Sequence, residues 1–389
     1  MRKTFVDISL IILATLLVTF LVWLPHLLSL SNFWGLNFSN GFNTIYRNFD
    51  GLEYVIIAKT FYNPQAISAL PQALPAHYFA SHFPGYSLGI VALAPFLGFL
   101  KSMLATSLLF TVLSMVLFYQ LIKEFKLSSQ PLFLSLLFLI IPSRWLIVHS
   151  VGSSEPMFIF FVLSTIYFLM KYELANKYYL LVASAVSALL AQITRPPGAL
   201  LIIALFLYIS FKLLRKNKET GFIRAFLNYF KYSIFALAPL GLLGLFYGFH
   251  LSYNDFWAYF HSGDNIHLTF PPFQVFNKHQ AWVGDIWLED IVLVFTLVSL
   301  GGITLLKKKL YPMAFFVLTY LIASIFVAHR DISRYILPVS PFILIAFEKI
   351  LTSKEFKIIL PLIALATYLY AQNFIIENTA PIPNPFMFN

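Results

Sequence analysis

The chain has 389 residues, of which 59% are hydrophobic and 11% are charged. Soluble globular domains carry about 25% charged residues, so this composition excludes an ordinary soluble protein and indicates a polytopic membrane protein. Cysteine is absent, which excludes disulfides, thiol chemistry and cysteine-based metal sites. The net charge of +10 is carried largely by short loops between apolar runs, where basic residues set membrane orientation, so we discount nucleic acid as a partner.

Apolar stretches long enough to cross a membrane recur along the chain, so we predict an all-α polytopic membrane protein with about 11 transmembrane helices. The first stretch follows a basic start and is too long for a cleaved signal peptide, which predicts a signal anchor. The predicted spans are residues 8–30, 102–122, 131–148, 155–171, 178–194, 198–214, 231–250, 288–306, 311–328, 335–350 and 356–374. We expect one membrane-embedded domain over residues 1–389.

The distribution of basic residues predicts the topology. With the N-terminus inside, most of the 26 lysines and arginines fall in inner loops, including the basic stretch 212–231. This orientation requires segment 86–100, which is short and contains Pro95 and Gly98, to dip into the membrane and return to the same side. Two long outer loops remain. We expect loop 31–101 to carry juxtamembrane helices, and loop 251–287 to cover a cavity or form an aromatic belt.

The predicted outer side collects all 9 histidines and most of the 16 acidic residues. Its basic residues are mainly arginine, whereas the inner loops hold mainly lysine. The outer arginines are Arg47, Arg144, Arg195, Arg330 and Arg334. Lysine suffices for orientation, but the planar guanidinium matches phosphate oxygens, so this group indicates an anionic ligand. Alternatively, the arginines pair with the outer acids.

A candidate catalytic carboxylate lies in the first outer loop, in the sequence YRNFDGLEYVIIAKTFYN at residues 46–63. Asp50 and Glu53 fit a capping box, in which Asp50 starts an amphipathic helix. The apolar face predicted for this helix consists of Tyr54, Ile57, Ala58 and Phe61. The other interpretation is that Asp50 serves in catalysis, and this stretch alone fits both.

The segment SRWLIVHSVGSSEPMF, residues 143–158, supplies two further candidates. Arg144 is predicted about one turn inside a span, where an arginine costs about 3 kcal/mol unless it faces a cavity or a partner. It is therefore a ligand-binding residue, or its side chain extends to the headgroups. Glu155 begins the next span, either as a site residue or as an acid favoured by the helix dipole. His82 lies in the outer segment HYFASHFPGYSLGI.

Two later outer turns also carry cations. Arg195 lies in TRPPG, at a predicted break between helices, and HRDISRYILP places His329, Arg330 and Arg334 before a late span. The i,i+4 spacing predicts that both arginines of the second turn share a helical face, where they can hold one phosphate. The alternative for that turn is a salt-bridged surface.

The order of these motifs resembles that of the GT-C membrane glycosyltransferases, and within them the GPI mannosyltransferase II (PIG-V-like) group. Between Phe49 and Pro338 the chain carries F-D-G-x-x-Y-x-x-I-A-K-x-x-Y, H-F-P-G-Y, S-S-E-P-M-F, T-R-P-P-G and R-Y-I-L-P. The group shows W-D-x-x-x-Y/F-x-x-I-A-x-x-G-Y, F-P-L-Y-P, Y-S-E-S-L-F and A-R-S-N-G. Here Phe49 replaces tryptophan, Phe61 stands where glycine would be, Gly85 replaces leucine and Pro156 interrupts the third motif.

The resemblance implies a polyprenyl-phosphate (dolichyl-type) monosaccharide donor, with mannose as the expected hexose, and transfer with inversion to a hydroxyl of a glycolipid, glycan or protein acceptor. No cofactor is expected, and a divalent metal is not expected either. Residue chemistry agrees, because one carboxylate can accept the hydroxyl proton while guanidinium or imidazole groups hold the departing phosphate. Asp50 is the expected base. The expected substrate-binding residues are Arg334, Arg330, His329, Arg195, Glu155, His82 and Arg144.

The expected location is the outer face of a prokaryotic cell membrane, or the luminal face of the endoplasmic reticulum in a eukaryote. Two other functions fit parts of the sequence. A lipid-phosphate transporter or flippase would place charges near the midplane and often shows repeated halves, and the sequence has neither feature. A metal-dependent oligosaccharyl-type transferase would hold a hard cation with Asp50, Glu155 and another outer acid, but that type usually carries a sizeable soluble domain.

The predicted topology can be checked by cysteine labelling. A cysteine that replaces Lys101 is expected to react with an impermeant maleimide from outside, and one that replaces Lys216 only after permeabilisation. Because the native chain has no cysteine, the labelling has no background. Reaction of the first variant only after permeabilisation would make 86–100 a full span and reverse the side of every later loop.

Overall fold

The computed structural model describes residues 2–220, 226, 229–263, 268–277, 279–282, 288–378 and 384–388. Within these ranges the regular elements are α-helices and short 3-10 turns, with two isolated β-bridges. The chain is therefore all-α, as predicted. Parts of the basic stretch 212–231 and of the second outer loop 251–287 lie outside the described residues.

The helices follow in chain order. Those up to residue 175 are α1 (Arg2–Leu27), α2 (Asn43–Tyr46), α3 (Gly51–Thr60), α4 (Pro64–Ser68), α5 (Pro84–Leu97), α6 (Phe99–Glu124), α7 (Pro131–Phe138), α8 (Ser143–Ser150) and α9 (Glu155–Ala175). The later ones are α10 (Tyr178–Thr194), α11 (Gly198–Thr220), α12 (Leu237–Tyr253), α13 (Ala258–His261), α14 (Leu288–Lys307), α15 (Tyr311–Ser324), α16 (Ile332–Tyr335), α17 (Ser340–Ala346), α18 (Glu348–Leu351) and α19 (Lys354–Glu377).

Seven helices of the described chain are long and apolar enough to cross a membrane. They are Lys3–Leu27, Phe99–Glu124, Glu155–Ala175, Gly198–Arg215, Phe230–Tyr253, Leu288–Lys307 and Lys354–Glu377. The pair α7 and α8, bent by 69°, makes an eighth if the two form one broken span. The protein is thus a multi-pass integral membrane protein. The count of about 11 spans is not confirmed, because α10, α15 and the pieces of the predicted span 335–350 are shorter.

The chain packs into two compact units. The first consists of Met1–Phe160, Leu245–Asn265 and Glu348–Asn389, and the second of Phe161–Gly244 and Ile266–Phe347. Each unit is described by itself below. The expectation of a single domain over residues 1–389 stays a prediction.

The long helices of the first unit are joined by polar contacts at their ends. At one end of the α1–α6 pair, the Tyr119 hydroxyl donates to Asp7 (2.6 Å) and the Lys123 ammonium donates to Thr4 (2.6 Å). Near the other end of α1, the side-chain amide of Gln372 in α19 lies 3.1 Å from the His26 ring and donates to the Val22 carbonyl (2.9 Å). The last helix of the chain therefore packs against the first.

Residues 31–101, predicted as the first outer loop, contain α2 to α5, so the prediction of helices in this segment is confirmed. Every residue of α3 except Lys59 is buried, because the helix packs against both α5 and α6. The amphipathic face predicted for it is therefore wrong. The helix ends at Thr60, and Phe61, which was expected on the apolar face, is 58% exposed in a left-handed conformation.

One predicted span late in the chain also differs from the structure. Residues 335–350 do not form one helix: α16 ends at Tyr335, a 3-10 turn follows at Leu337–Val339, and α17 and α18 complete the segment. Prolines at 338 and 341 remove two backbone donors from this stretch, which favours short helical pieces over a continuous helix. In the second unit, part of the segment 251–287 packs beside the end of α15, where Thr269 and Phe273 donate backbone hydrogen bonds to the carbonyls of Phe326 (2.8 Å) and Ile325 (2.7 Å).

Two glycines allow the backbone of α3 to touch another segment of the first unit. A Cβ atom added to Gly51, the first residue of α3, would lie 2.9 Å from the Gly152 carbonyl oxygen and 3.2 Å from its Cα. A Cβ added to Gly152 would lie 2.4 Å from the sulfur of Met103. Real Cβ atoms do not approach backbone so closely, so only glycine fits at Gly51.

We expect Gly51→Ala to destabilise the protein by about 1–3 kcal/mol, because the added methyl group must push α3 away from a backbone segment that cannot rotate aside. Gly244→Ala is the matched control: it lies in α12 with nothing within 4 Å of the added Cβ. In a helix interior this change gains about 1 kcal/mol of helix propensity. The midpoints of thermal unfolding in detergent should move in opposite directions, and equal shifts would contradict the close approach at Gly51.

Candidate functional site

Asp50 occupies the N-cap position of α3, but its side chain makes no cap hydrogen bond. Its backbone has φ −90° and ψ 19°, whereas N-cap residues typically adopt the extended conformation that turns the side chain toward the helix N–H groups. The capping-box prediction is therefore wrong. Glu53, the predicted partner in the box, is 3% exposed within the unit. Asp50 is half-buried, and its carboxyl group does not cap the helix.

Glu155 lies on the segment that Gly51 touches. It is the first residue of α9, as predicted, and it is 1% exposed. The Ser153 hydroxyl donates to its carboxylate (2.8 Å), and the neighbouring Ser154 hydroxyl lies 2.9 Å from that of Tyr54 in α3. Tyr54 thus connects the helix that starts at Asp50 to the turn that holds Glu155.

His82 contacts the same tyrosine, Tyr54, through its ring. Its ring is 6% exposed and packs edge-on against the ring of Tyr54, with 5.2 Å between the centroids. The Ser81 hydroxyl lies 2.8 Å from His82 Nδ1, and the Tyr62 hydroxyl donates to the His82 carbonyl (2.7 Å). Burial, together with the nearby Tyr253 and Tyr54, raises the pKa of Tyr62.

A cation lies at the end of a stack of rings that includes the residue before Asp50. The Arg144 guanidinium lies over the ring of Phe374 in α19, 3.9 Å from its centroid. Phe374 in turn stacks on Phe49, the residue before Asp50, with 5.6 Å between centroids. Arg144 lies in the first turn of α8, directly after the break in the bent helix pair, and not one turn inside a continuous span. The break removes the need to bury this charge in the middle of a helix.

Four of the predicted site residues therefore lie in the first unit: Asp50, His82, Arg144 and Glu155. Tyr54 contacts His82 and, through Ser154, the turn before Glu155, while Phe374 connects Arg144 with Phe49, the residue before Asp50. Such a set can accept a proton at one atom and hold negative charge at another. Within the described residues, no group of three or more His, Asp or Glu side chains is placed to hold a metal ion.

The second unit holds the other candidates. His329 Nδ1 accepts a hydrogen bond from the Asp331 backbone N–H (3.0 Å), and its ring packs against Tyr335 with 5.1 Å between centroids. Arg334 lies in the short helix α16 and is 9% exposed, whereas Arg330 precedes that helix and is exposed. The prediction that the two arginines share a helical face is therefore wrong, because the helix begins at Ile332, after Arg330.

Arg195 lies at the predicted break between helices. It follows the last residue of α10 in an extended conformation, and α11 begins three residues later at Gly198. A Cβ added to Gly198 would lie 2.4 Å from the Cα of Gln192, so the start of α11 packs directly on the end of α10. This close approach explains the glycine of TRPPG and gives the motif a structural purpose besides any ligand contact.

Sequence reasoning missed the residues that connect the site. Tyr54 was assigned only to an apolar face, although its hydroxyl contacts Ser154. Phe374 was assigned only to a span, and no local pattern links it to Arg144 or Phe49. The small residues of the segment VGSSE carried a usable signal, since glycine followed by two serines before an acid favours close backbone approach and local hydrogen bonds.

Comparison with protein-family models gives no match for the chain, and comparison with curated protein sequences gives none either. The family resemblance therefore depends on the motifs quoted from the sequence.

We expect Tyr54→Phe to lower the free energy of unfolding by about 1 kcal/mol, because it keeps the ring but removes the hydroxyl that meets Ser154. Its ring contacts with His82 and Tyr86, at 5.2 and 5.1 Å between centroids, should survive. Tyr179→Phe is the control, because that side chain is 63% exposed. Thermal unfolding in detergent measures both variants. Equal midpoints would show that the hydroxyl contact contributes nothing.

Proposed function

We propose that the protein is a membrane glycosyltransferase that moves a single hexose, mannose by the motif resemblance, from a polyprenyl-phosphate donor to an acceptor hydroxyl with inversion. Asp50 is the general base. Glu155 and His82 contribute to substrate binding in the same unit. This assignment joins the motif order in the sequence to the chemistry available around Asp50.

The observation that carries the proposal is the stack of Phe49, Phe374 and Arg144. The Arg144 guanidinium lies on the ring of Phe374, and that ring stacks on the ring of Phe49. Phe49 precedes Asp50, which is half-buried and makes no helix-cap hydrogen bond. Transfer from a sugar phosphate needs these two groups together. The base must meet the acceptor hydroxyl, and the cation must meet the phosphate that leaves on the opposite face of the sugar.

The chemical step balances with these groups alone. The acceptor oxygen forms a bond to the anomeric carbon while its proton passes to the Asp50 carboxylate. The bond between the anomeric carbon and the phosphate oxygen breaks, and its electron pair stays on the phosphate. Arg144 stabilises that negative charge, so the leaving group needs no general acid. A single displacement of this kind inverts the anomeric configuration.

Asp50→Asn is expected to lower the transfer rate by about 10²-fold or more, because an amide cannot accept the hydroxyl proton. Asparagine has nearly the same shape as aspartate, so the unfolding midpoint should change little. The measurement is release of polyprenyl phosphate from polyprenyl-phosphate mannose by the purified full-length chain, in lipid, with a hexose-bearing glycolipid as acceptor. Turnover near the wild-type rate would remove Asp50 as the base.

Asp255→Asn is the matched control, because this acid of the same unit is paired with His261 (2.7 Å) outside the Asp50 neighbourhood. It should leave the rate unchanged. Glu53→Gln is not a suitable control, since Glu53 is buried beside the site. Repeating the assay with a chelator separates this mechanism from a metal-dependent transferase, and any release of polyprenyl phosphate separates it from a transporter.

A further inference from the structure

A cleft lies at the end of α3 opposite to Asp50. It has a volume of about 510 Å³ and lies entirely within the first unit. Its lining residues are Thr60, Phe61, Asn63, Pro64, Gln65, Leu251 and Ser252. Sites for small molecules typically measure about 300–1,000 Å³, so the cleft has room for a ligand of one or two rings.

The hydrogen-bonding groups in this cleft are all uncharged. Asn63 uses its side-chain oxygen to accept from the Ala66 N–H (2.9 Å), which leaves its NH₂ group for a ligand. Thr60 donates to the Ile56 carbonyl (2.8 Å) and keeps its oxygen lone pairs. The side chains of Gln65 and Ser252 bond to nothing in the described part of the chain. Together these groups offer several donors and acceptors but no charge to bind an ion.

Phe61, whose ring lines the cleft, adopts an unfavourable backbone conformation. Phe61 and Tyr62 both have left-handed backbones, with φ 46° and 64°. Bulky residues avoid this region, and they occupy it only where the surrounding structure enforces it. Here the Phe61 N–H donates to the Ile57 carbonyl (2.8 Å) and the Tyr62 hydroxyl donates to the His82 carbonyl (2.7 Å). The result is a Phe61 ring that is 58% exposed and lines the cleft.

We propose that this cleft binds a neutral saccharide. The Phe61 ring packs on the apolar face of a sugar ring, while Asn63, Gln65 and Ser252 bond its hydroxyl groups. An anionic ligand does not fit, because no cation lines the cleft. A lipid chain does not fit either, because four of the lining side chains are polar: Thr60, Asn63, Gln65 and Ser252.

The position of the cleft gives the saccharide a place in the proposed reaction. Helix α3 runs from Gly51 to Thr60, so its rise separates Asp50 from the cleft by about 15 Å along the helix. If the proposed function holds, the cleft takes a sugar of the acceptor that lies away from the reacting hydroxyl. It would then select acceptors that are longer than one hexose. Saccharide binding itself does not depend on catalysis.

The test uses Phe61→Gly, because glycine adopts the left-handed conformation without strain and removes only the ring. Ligand-observed saturation-transfer NMR measures binding of methyl α-mannopyranoside and methyl α-glucopyranoside to the full chain in nanodiscs that contain no sugar-headed detergent. We expect the wild type to bind at least one of the two. Binding should be about tenfold weaker in Phe61→Gly, which corresponds to about 1.4 kcal/mol, with an unfolding midpoint equal to or above that of the wild type.

Trp34→Gly is the matched control, since Trp34 is also left-handed (φ 57°) and 66% exposed but does not line the cleft. It should bind the hexosides as the wild type does. A second variant, Gln65→Ala, removes one amide from an exposed position and should also weaken binding severalfold. Absence of hexoside binding to the wild type, or equal binding by wild type and Phe61→Gly, would overturn the proposal.

Failure of this proposal is distinguishable from failure of the proposed function. Asp50→Asn should bind the hexosides normally whether or not it transfers sugar. Loss of hexoside binding in Phe61→Gly together with normal transfer to a single-hexose acceptor would support the cleft as a distal subsite. Transfer by the wild type without any hexoside binding would leave the reaction in place and remove the cleft.

Discussion

The contact between the backbones of Gly51 and Gly152 is the constraint on which the candidate site depends. It brings the first turn of α3, which follows Asp50, against the segment that leads into Glu155 and α9, and this contact is made by main chain and not by long side chains. Side-chain contacts then fix the orientation: Tyr54 reaches Ser154, and Ser87 of α5 donates to the Tyr54 carbonyl (2.9 Å). A site built this way is stiff, because helix axes determine the separation of its charged groups.

Hydroxyl groups of α6 make two kinds of hydrogen bond, within their own helix and to neighbouring segments. Thr106 and Thr111 in α6 donate to carbonyls four residues earlier in their own helix, at 2.7 Å each, and so add nothing between helices. Ser107, on the same helix, instead donates to the Ser153 carbonyl (3.1 Å) and lies 2.6 Å from the Tyr86 hydroxyl. Ser107 thus connects α6 both with α5 and with the segment that leads to Glu155. In an apolar surrounding such contacts orient helices that dispersion alone would leave free to slide.

The sequence predicted the helices of this protein better than the details of the site. Hydrophobic length alone identified the seven long apolar helices, and α10 has the predicted bounds Tyr178–Thr194, because long apolar runs have few alternatives to a membrane helix. The capping box failed, since the backbone at Asp50 is not extended and its side chain makes no cap hydrogen bond. The pairing of Arg330 and Arg334 failed for a similar reason: spacing fixes a common face only if the helix already includes both residues.

The stack of rings that holds Arg144 could not be predicted from the sequence, for a different reason. Its middle ring, Phe374, lies in the last long helix, and no periodicity or motif connects it with Phe49 near the start of the chain. Candidate residues could be found by their chemical type and by the predicted side of the membrane. Their grouping could not, because it depends on helix packing that spans almost the whole sequence. Arg330, Arg334, His329 and Arg195 therefore keep their predicted roles only as predictions.

The attachment of α19 to the beginning of the chain also constrains how the protein can be made. The buried side chain of Asn48 donates to the carbonyl of Ile375 (2.7 Å), a partner 327 residues further along. At a synthesis rate of about 5–20 residues per second, the ribosome needs about 15–65 s to supply that partner after Asn48 has emerged. During this interval the first loop must remain hydrated or be protected by the insertion machinery. Assembly of the region around Asp50 is consequently a late event in biogenesis, and nascent chains stopped before α19 would lack it.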